Sequence, residues 1–106
     1  MATLELNELV CNRKQDVVGT DEPEIWIDGA QVWSGRLGKG NSATFSPPIR
    51  RNFGGQILVE LKERDRSGGN AKRKLLGQQT ISTSSSASPA AFSASGYDYR
   101  LHYRVV

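Results

Sequence analysis

The residues with the most obvious chemistry are cations. Lys72-Arg73-Lys74, with Arg64 and Arg66 just upstream, puts five basic residues around one carboxylate, Asp65. Arg50-Arg51 makes a second basic pair. Guanidinium and ammonium groups at this density suit phosphate, either a lipid headgroup or nucleic acid. Each Lys or Arg near an anionic membrane is worth about 1 kcal/mol. The same run also reads as a solvated loop that keeps a chain soluble. Trp26 and Trp33 are the aromatic counterpart. Tryptophan is enriched at interface hot spots, so an outward-facing pair would be an interaction surface. A covering loop or layer is the other reading.

Nucleophiles and bases are scarce. The chain has one His and one Cys, too few for a His/Cys metal cluster. Serines abound, but none sits in a GxSxG turn or beside an obvious base. With no recognisable nucleophile–base pair, the expectation is that the chain is not an enzyme. A hydrolase would need a pocket bringing His102 to a serine, and His102 falls on a strand face with no special role. Cys11 reads as a small buried hydrophobe, and a single cysteine fits a reducing compartment.

The elements that position these groups follow from a hydrophobic period of two. Tyr97, Tyr99, Leu101, Tyr103 and Val105 share one face, with Asp98, Arg100, His102 and Arg104 on the other, which predicts a half-buried strand. Ile57, Val59 and Leu61 alternate in the same way, predicting a strand from Gly55 to Glu63. Leu4 and Leu6 have one parity, and Leu9 and Cys11 the opposite one. A bulge near Asn7-Glu8 restores a single face. Glu24 to Trp33 reads as a hairpin with Asp28-Gly29 in a type I′ turn, where both positions need positive φ. Ile27 then opposes Ala30, Ile25 opposes Val32, and Trp26 lies diagonal to Trp33 on the other face. A weak strand at Ser42–Ser46 ends at Pro47-Pro48, which cannot donate to a ladder. Leu75 to Thr83 is a further strand with Leu75, Gly77, Gln79 and Ile81 on one side. Ser82 to Ser95 is low-complexity and almost uncharged, predicting a flexible Ser/Ala-rich crossover loop pinned by Phe92.

No stretch has helical spacing over three turns. The 106 residues suffice for one domain, spanning 1–106. Hydrophobic residues at 37% and charged residues at 24% fit a soluble globular fold. No apolar run approaches the roughly 20 residues of a membrane helix. Six or more short strands separated by turn signals predict an all-β antiparallel sandwich of about 7–8 strands; a small open barrel is the competing architecture. The start, Met1-Ala2-Thr3-Leu4-Glu5, lacks a basic n-region and an apolar h-region. The expected location is cytoplasmic, or outside the cell by a route without a classical signal peptide.

The order of segments resembles C2-type β-sandwich domains. Gln15-Asp16-Val17-Val18-Gly19-Thr20-Asp21-Glu22-Pro23-Glu24-Ile25-Trp26-Ile27 is similar to the family's acidic first loop and the strand after it. Ile57-Leu58-Val59-Glu60-Leu61-Lys62-Glu63-Arg64-Asp65 is similar to the strand entering the second acidic loop, and Leu75-Leu76-Gly77 to the step opening the next strand. Tyr99-Arg100-Leu101-His102-Tyr103-Arg104-Val105 resembles the last strand of small bacterial C2-like modules. The resemblance spans roughly residues 3 to 105.

In calcium-binding members, Asp carboxylates from two loops at one end share the ions. By position Asp16 and Asp21 match the first loop and Asp65 the first acid of the second, with Glu22 and Glu63 nearby. Calcium takes six to eight oxygens at about 2.3–2.6 Å. Here the second loop supplies cations instead, and each opposes a divalent ion by about 1 kcal/mol or more at short range. The resemblance therefore implies a weak or vestigial calcium site, with Asp21 and Asp65 neutralised by Arg64, Arg66 or Lys74. No other cofactor is expected. The implied function is a non-enzymatic C2-like binding module, a rigid sandwich displaying loops to another protein or an anionic lipid surface. The alternative is a structural subunit of a larger assembly, homo-oligomers included, using edge strands and the Trp26/Trp33 face. Nucleic-acid binding is a further alternative, because Tyr97, Tyr99 and Tyr103 interleave with Arg100 and Arg104. Alternation opposes it by turning the tyrosines toward the core.

Overall fold

The computed structural model describes residues 2–13, 22–65, 72–84, 88–94 and 96–106; of Arg13, Asp65 and Lys72 it describes the strand alone. Eight strands follow in order: β1 (Ala2–Arg13), β2 (Pro23–Ile27), β3 (Ala30–Ser34), β4 (Ser42–Phe53), β5 (Gln56–Asp65), β6 (Lys72–Ser82), β7 (Ala90–Ala94) and β8 (Tyr97–Val105). They form two antiparallel four-stranded sheets, ordered β4-β1-β8-β7 and β3-β2-β5-β6. The expected all-β sandwich is the observed fold. No helix of the described residues is long and apolar enough to cross a membrane.

Alternation builds the core. Tyr97, Tyr99, Leu101 and Tyr103 of β8 are buried, as are Ile57, Val59 and Leu61 of β5. Removing each such side chain from water contributes about 1.5–3 kcal/mol. On β1 the pairing slips between Leu6 and Glu8, and this bulge puts Leu4, Leu6, Leu9 and Cys11 on one face, all fully buried. The tyrosines also join the sheets, because the Tyr97 hydroxyl donates to the Leu76 carbonyl of β6.

Asp28 (φ 47°) and Gly29 (φ 82°) both take the left-handed region that a type I′ turn demands. Asp28 also reaches β5: its N–H donates to Leu58 O at 2.9 Å, and Leu58 N–H donates to Asp28 Oδ1 at 3.0 Å.

The structure corrects four expectations. Ile25 lies opposite Trp33, not Val32, because a bulge makes Val32 an extra residue between the Trp26–Gln31 and Ile25–Trp33 pairs. The strand at Ser42 does not end at Ser46. It leaves the β1 register over residues 45–48, which include Pro47 and Pro48, and resumes pairing at Ile49, and as an edge strand it needs no proline donor there. On β6 a shift makes Leu76 the extra residue, so Leu76 turns inward while Leu75 stays 48% exposed. Within the Ser82–Ser95 segment, residues Ala90–Ala94 form β7 on β8. Two buried side chains, Ala90 and Phe92, provide enough alternation to seat five residues on that edge.

Candidate functional site

The outer face of β2, β5 and β6 gathers the charged residues. With Ile25 and Ile27 turned inward, Glu24 and Trp26 turn outward on β2. Register places Lys62 of β5 beside Glu24, and Arg73 of β6 opposite Arg64 of β5. Glu24 is nevertheless only 1% exposed, because its neighbours fold over it. Arg73 Nε–H donates to Glu24 Oε1 at 2.7 Å, and Trp26 Nε1–H donates to the same oxygen at 3.0 Å. Lys62 Nζ stands 4.1 Å from the centroid of the Trp26 ring, and Arg73 Cζ stands 5.4 Å from it. Both distances lie within the range of cation–π attraction. One buried carboxylate and one indole thus hold two cations in place.

Beside this cluster is a cleft of about 150 Å³ lined by Glu22, Glu24, Ser34, Gly35, Arg36 and Arg64. Arg36 Nε lies 3.4 Å from Glu22 Oε1, and Arg64 N–H donates to Glu22 O at 3.0 Å. Glu24 Oε2 and Arg64 Nε are both buried here, and neither has a hydrogen-bond partner among the described residues. Arg64 also faces Arg73 directly across the β5–β6 ladder. Like charges so placed oppose the pairing. Glu24 offsets the charge of Arg73, whereas the buried Nε of Arg64 has no such bond among the described residues.

The predicted cationic residues therefore divide. Arg73 is committed to Glu24 and Trp26. Arg64 lines the cleft. Lys74 is exposed and lies opposite the buried Glu63 in register. Lys72 and Asp65 are paired strand residues whose side chains lie outside the described residues, and Arg66, Asp16 and Asp21 lie outside them entirely. Among the described residues, no three His, Cys, Asp or Glu side chains gather as metal ligands. The calcium set is thus one the described residues do not contain.

The two tryptophans do not make one patch. Trp26 is on the outer face, whereas the β3 bulge turns Trp33 inward against the core. The Trp33 and Phe45 rings meet edge to face, with centroids 5.3 Å apart at 68°. Gly35 makes room for this, since the Trp33 ring lies where a side chain at 35 would begin.

A second charged group lies on the outer face of the other sheet. Glu5 of β1 pairs in register with Arg50 of β4 on one side and Arg104 of β8 on the other. Arg50 Nε–H donates to Glu5 Oε2 at 2.6 Å, and Arg104 Nε–H donates to Oε1. The hydrogen bond from Arg50, then that from Arg104, holds the Glu5 carboxyl below its usual range. On β8, Arg100 Nε–H donates to Asp98 at 3.0 Å, and His102 is half-buried opposite Glu8.

Sequence reasoning missed Glu24, Lys62, Arg36 and Glu5. Parity alone marks Glu24 as outward, but its partner Arg73 is 49 residues away, and nothing local to Glu24 predicts burial. Glu5 is separated from Arg50 by 45 residues and from Arg104 by 99.

Among solved structures, the chain is similar to a Drosophila C2-DSL-EGF1 structure at 15% identity and a TM-score of 0.51. The match covers 99% of this chain and 67% of that one. At that identity the likeness is one of fold. No protein-family model and no curated protein matches the chain.

Proposed function

We propose that this chain is a non-enzymatic, C2-like binding module that meets an anionic surface with the β5–β6 end of its sandwich. One observation carries the reading: Arg64 stands opposite Arg73 with its Nε unbonded among the described residues, and Lys74, next along β6 and opposite Glu63, is exposed on the other side of the same sheet. A like-charge pair opposes strand pairing, and an external anion relieves that repulsion. Arg66 and Lys72 belong to the same basic stretch of the sequence. The resemblance to C2 domains and the fold likeness to a C2-containing structure agree with a display scaffold. Arg73 acts here as a fixed positive field, since Glu24 holds its Nε. Calcium has a small part at most, because cations outnumber carboxylates around Asp65.

The test is co-sedimentation with vesicles of phosphatidylcholine alone or with added phosphatidylserine. The wild-type chain pellets with the anionic vesicles, and raising salt releases it. Arg64→Ser/Lys74→Ser binds several-fold less while keeping its β-sheet circular dichroism. Added calcium changes neither result. Equal recovery with both vesicle types refutes the lipid surface and leaves a protein partner as the reading to pursue.

A further inference from the structure

We propose a second, separate anion site on the opposite sheet, where Arg50 and Arg104 form a paired guanidinium clamp for a phosphate monoester. This proposal does not depend on the β5–β6 reading.

Three observations carry it. The first is stoichiometry. Two guanidiniums share one carboxylate, Glu5, so the group has a surplus positive charge. The second is the atoms used. Each arginine donates through Nε, one to each carboxylate oxygen. A guanidinium has five N–H donors, so the terminal nitrogens of both remain for a ligand. The third is exposure. The Glu5 side chain is 5% exposed, whereas Arg50 and Arg104 are 55% and 66% exposed. The carboxylate is therefore the buried floor, and the two guanidiniums are its solvent-facing cover.

Geometry suits a tetrahedral oxyanion. Arg50 and Arg104 flank Glu5 on adjacent strands, so their backbones are separated by two ladder spacings, roughly 10 Å. Both side chains lean inward to reach the same carboxylate. Their mutual repulsion is screened from below by Glu5 and from above only by solvent. An anion with several oxygens, seated above, takes N–H donors from both forks and balances the second charge. Asn52, two residues along β4 from Arg50, accepts from Thr3 Oγ1 through Oδ1 at 2.8 Å, which leaves its amide N–H groups as further donors.

Glu5 is a positioning residue in this clamp, and that gives a sharp test. Glu5→Gln raises the positive charge of the face. A diffuse basic patch would then bind anions more tightly. A pre-organised clamp loses its floor and binds more weakly. We would follow the arginine Nε–H NMR signals while titrating sodium phosphate against sodium chloride at equal ionic strength. In parallel, vesicles of phosphatidylcholine with or without phosphatidic acid present a phosphate monoester as a headgroup. The wild-type Arg50 and Arg104 signals shift saturably with phosphate and not with chloride, while that of Arg100, whose Nε–H is held by Asp98, stays put. Glu5→Gln weakens the response about five-fold or more, and so does Arg104→Lys, which keeps charge and loses the fork. The Lys variant keeps the floor and guards against a fold defect in the Gln variant. Response to phosphatidic acid vesicles alone assigns the site to a headgroup, and response to phosphate alone assigns it to a free ligand. No response to either, equal response to chloride, or tighter binding by Glu5→Gln refutes the clamp.

Discussion

Arg73 on β6 reaches over β5 to donate its Nε–H to Glu24 on β2 at 2.7 Å. The bond spans two strand spacings and closes over a carboxylate that the rest of the sheet has taken out of water. Removing the donor leaves that carboxylate buried with one remaining bond, from Trp26. Arg73→Ala is therefore expected to destabilise the fold by about 2–4 kcal/mol, read as a lower urea midpoint. Glu24→Gln/Arg73→Ala loses less than Arg73→Ala alone, because no buried charge is stranded. A double variant as unstable as the sum of the two singles refutes this account of the pair.

Glu5 gives a pH dependence with a definite sign. Its carboxyl is held below the ordinary value of 4.5, first by Arg50 and then by Arg104. A depressed native pKa contributes stability above the unfolded value, and that contribution is lost as pH falls through the folded one. The wild-type urea midpoint is expected to fall between pH 5 and pH 3, with part of the fall belonging to Glu5. Glu5→Gln flattens that part of the curve and leaves the region above pH 6 without slope from this group. Superimposable acid limbs in the two proteins rule the assignment out.

Much of the framework is written in local pattern. The bulge at Asn7-Glu8 is legible because Leu4 and Leu6 differ in parity from Leu9 and Cys11, and only a one-residue slip buries all four. Asp28-Gly29 is legible because few pairs accept two positive φ values. The bulge that makes Val32 extra has no such mark. Val32 and Trp33 are both apolar, so either serves as the inward residue until Phe45 supplies a ring for Trp33 to meet. Leu75 and Leu76 pose the same ambiguity. The charged clusters are harder still. Basic residues are visible as a run, but whether Arg73 faces solvent or a buried Glu24 is decided by register across three strands. That information is long-range, and no spacing within either segment carries it.

Gly77 is constrained by its neighbour rather than by its backbone angles. A Cβ there would lie 3.1 Å from Phe92 Cδ1 and 3.4 Å from Phe92 Cβ. Phe92 is 2% exposed and is fixed on β7, so it has little room to retreat. Gly77→Ala is expected to destabilise by about 1–3 kcal/mol, as overpacking does. Phe92→Leu in the same background relieves part of the loss in urea denaturation. A stabilising Gly77→Ala would mean that β7 yields easily and that its seat against β6 is loose.

Gly35 tests the placement of Trp33. A Cβ at 35 would stand 2.5 Å from Trp33 Cζ2 and 2.7 Å from Cη2, so the ring has to leave its seat. Displacing it breaks the edge-to-face contact with Phe45 and opens the core to water at that corner. Gly54→Ala is the control, since a Cβ there meets nothing within 4 Å. In a Trp26→Phe background, which leaves Trp33 as the reporter, Gly35→Ala is expected to shift the emission to the red and lower the urea midpoint by the equivalent of about 1–3 kcal/mol. Gly54→Ala leaves both unchanged. Unaltered Trp33 emission in Gly35→Ala would place the ring on the outer face, beside Trp26, and restore the joint aromatic surface that the bulge at Val32 takes apart.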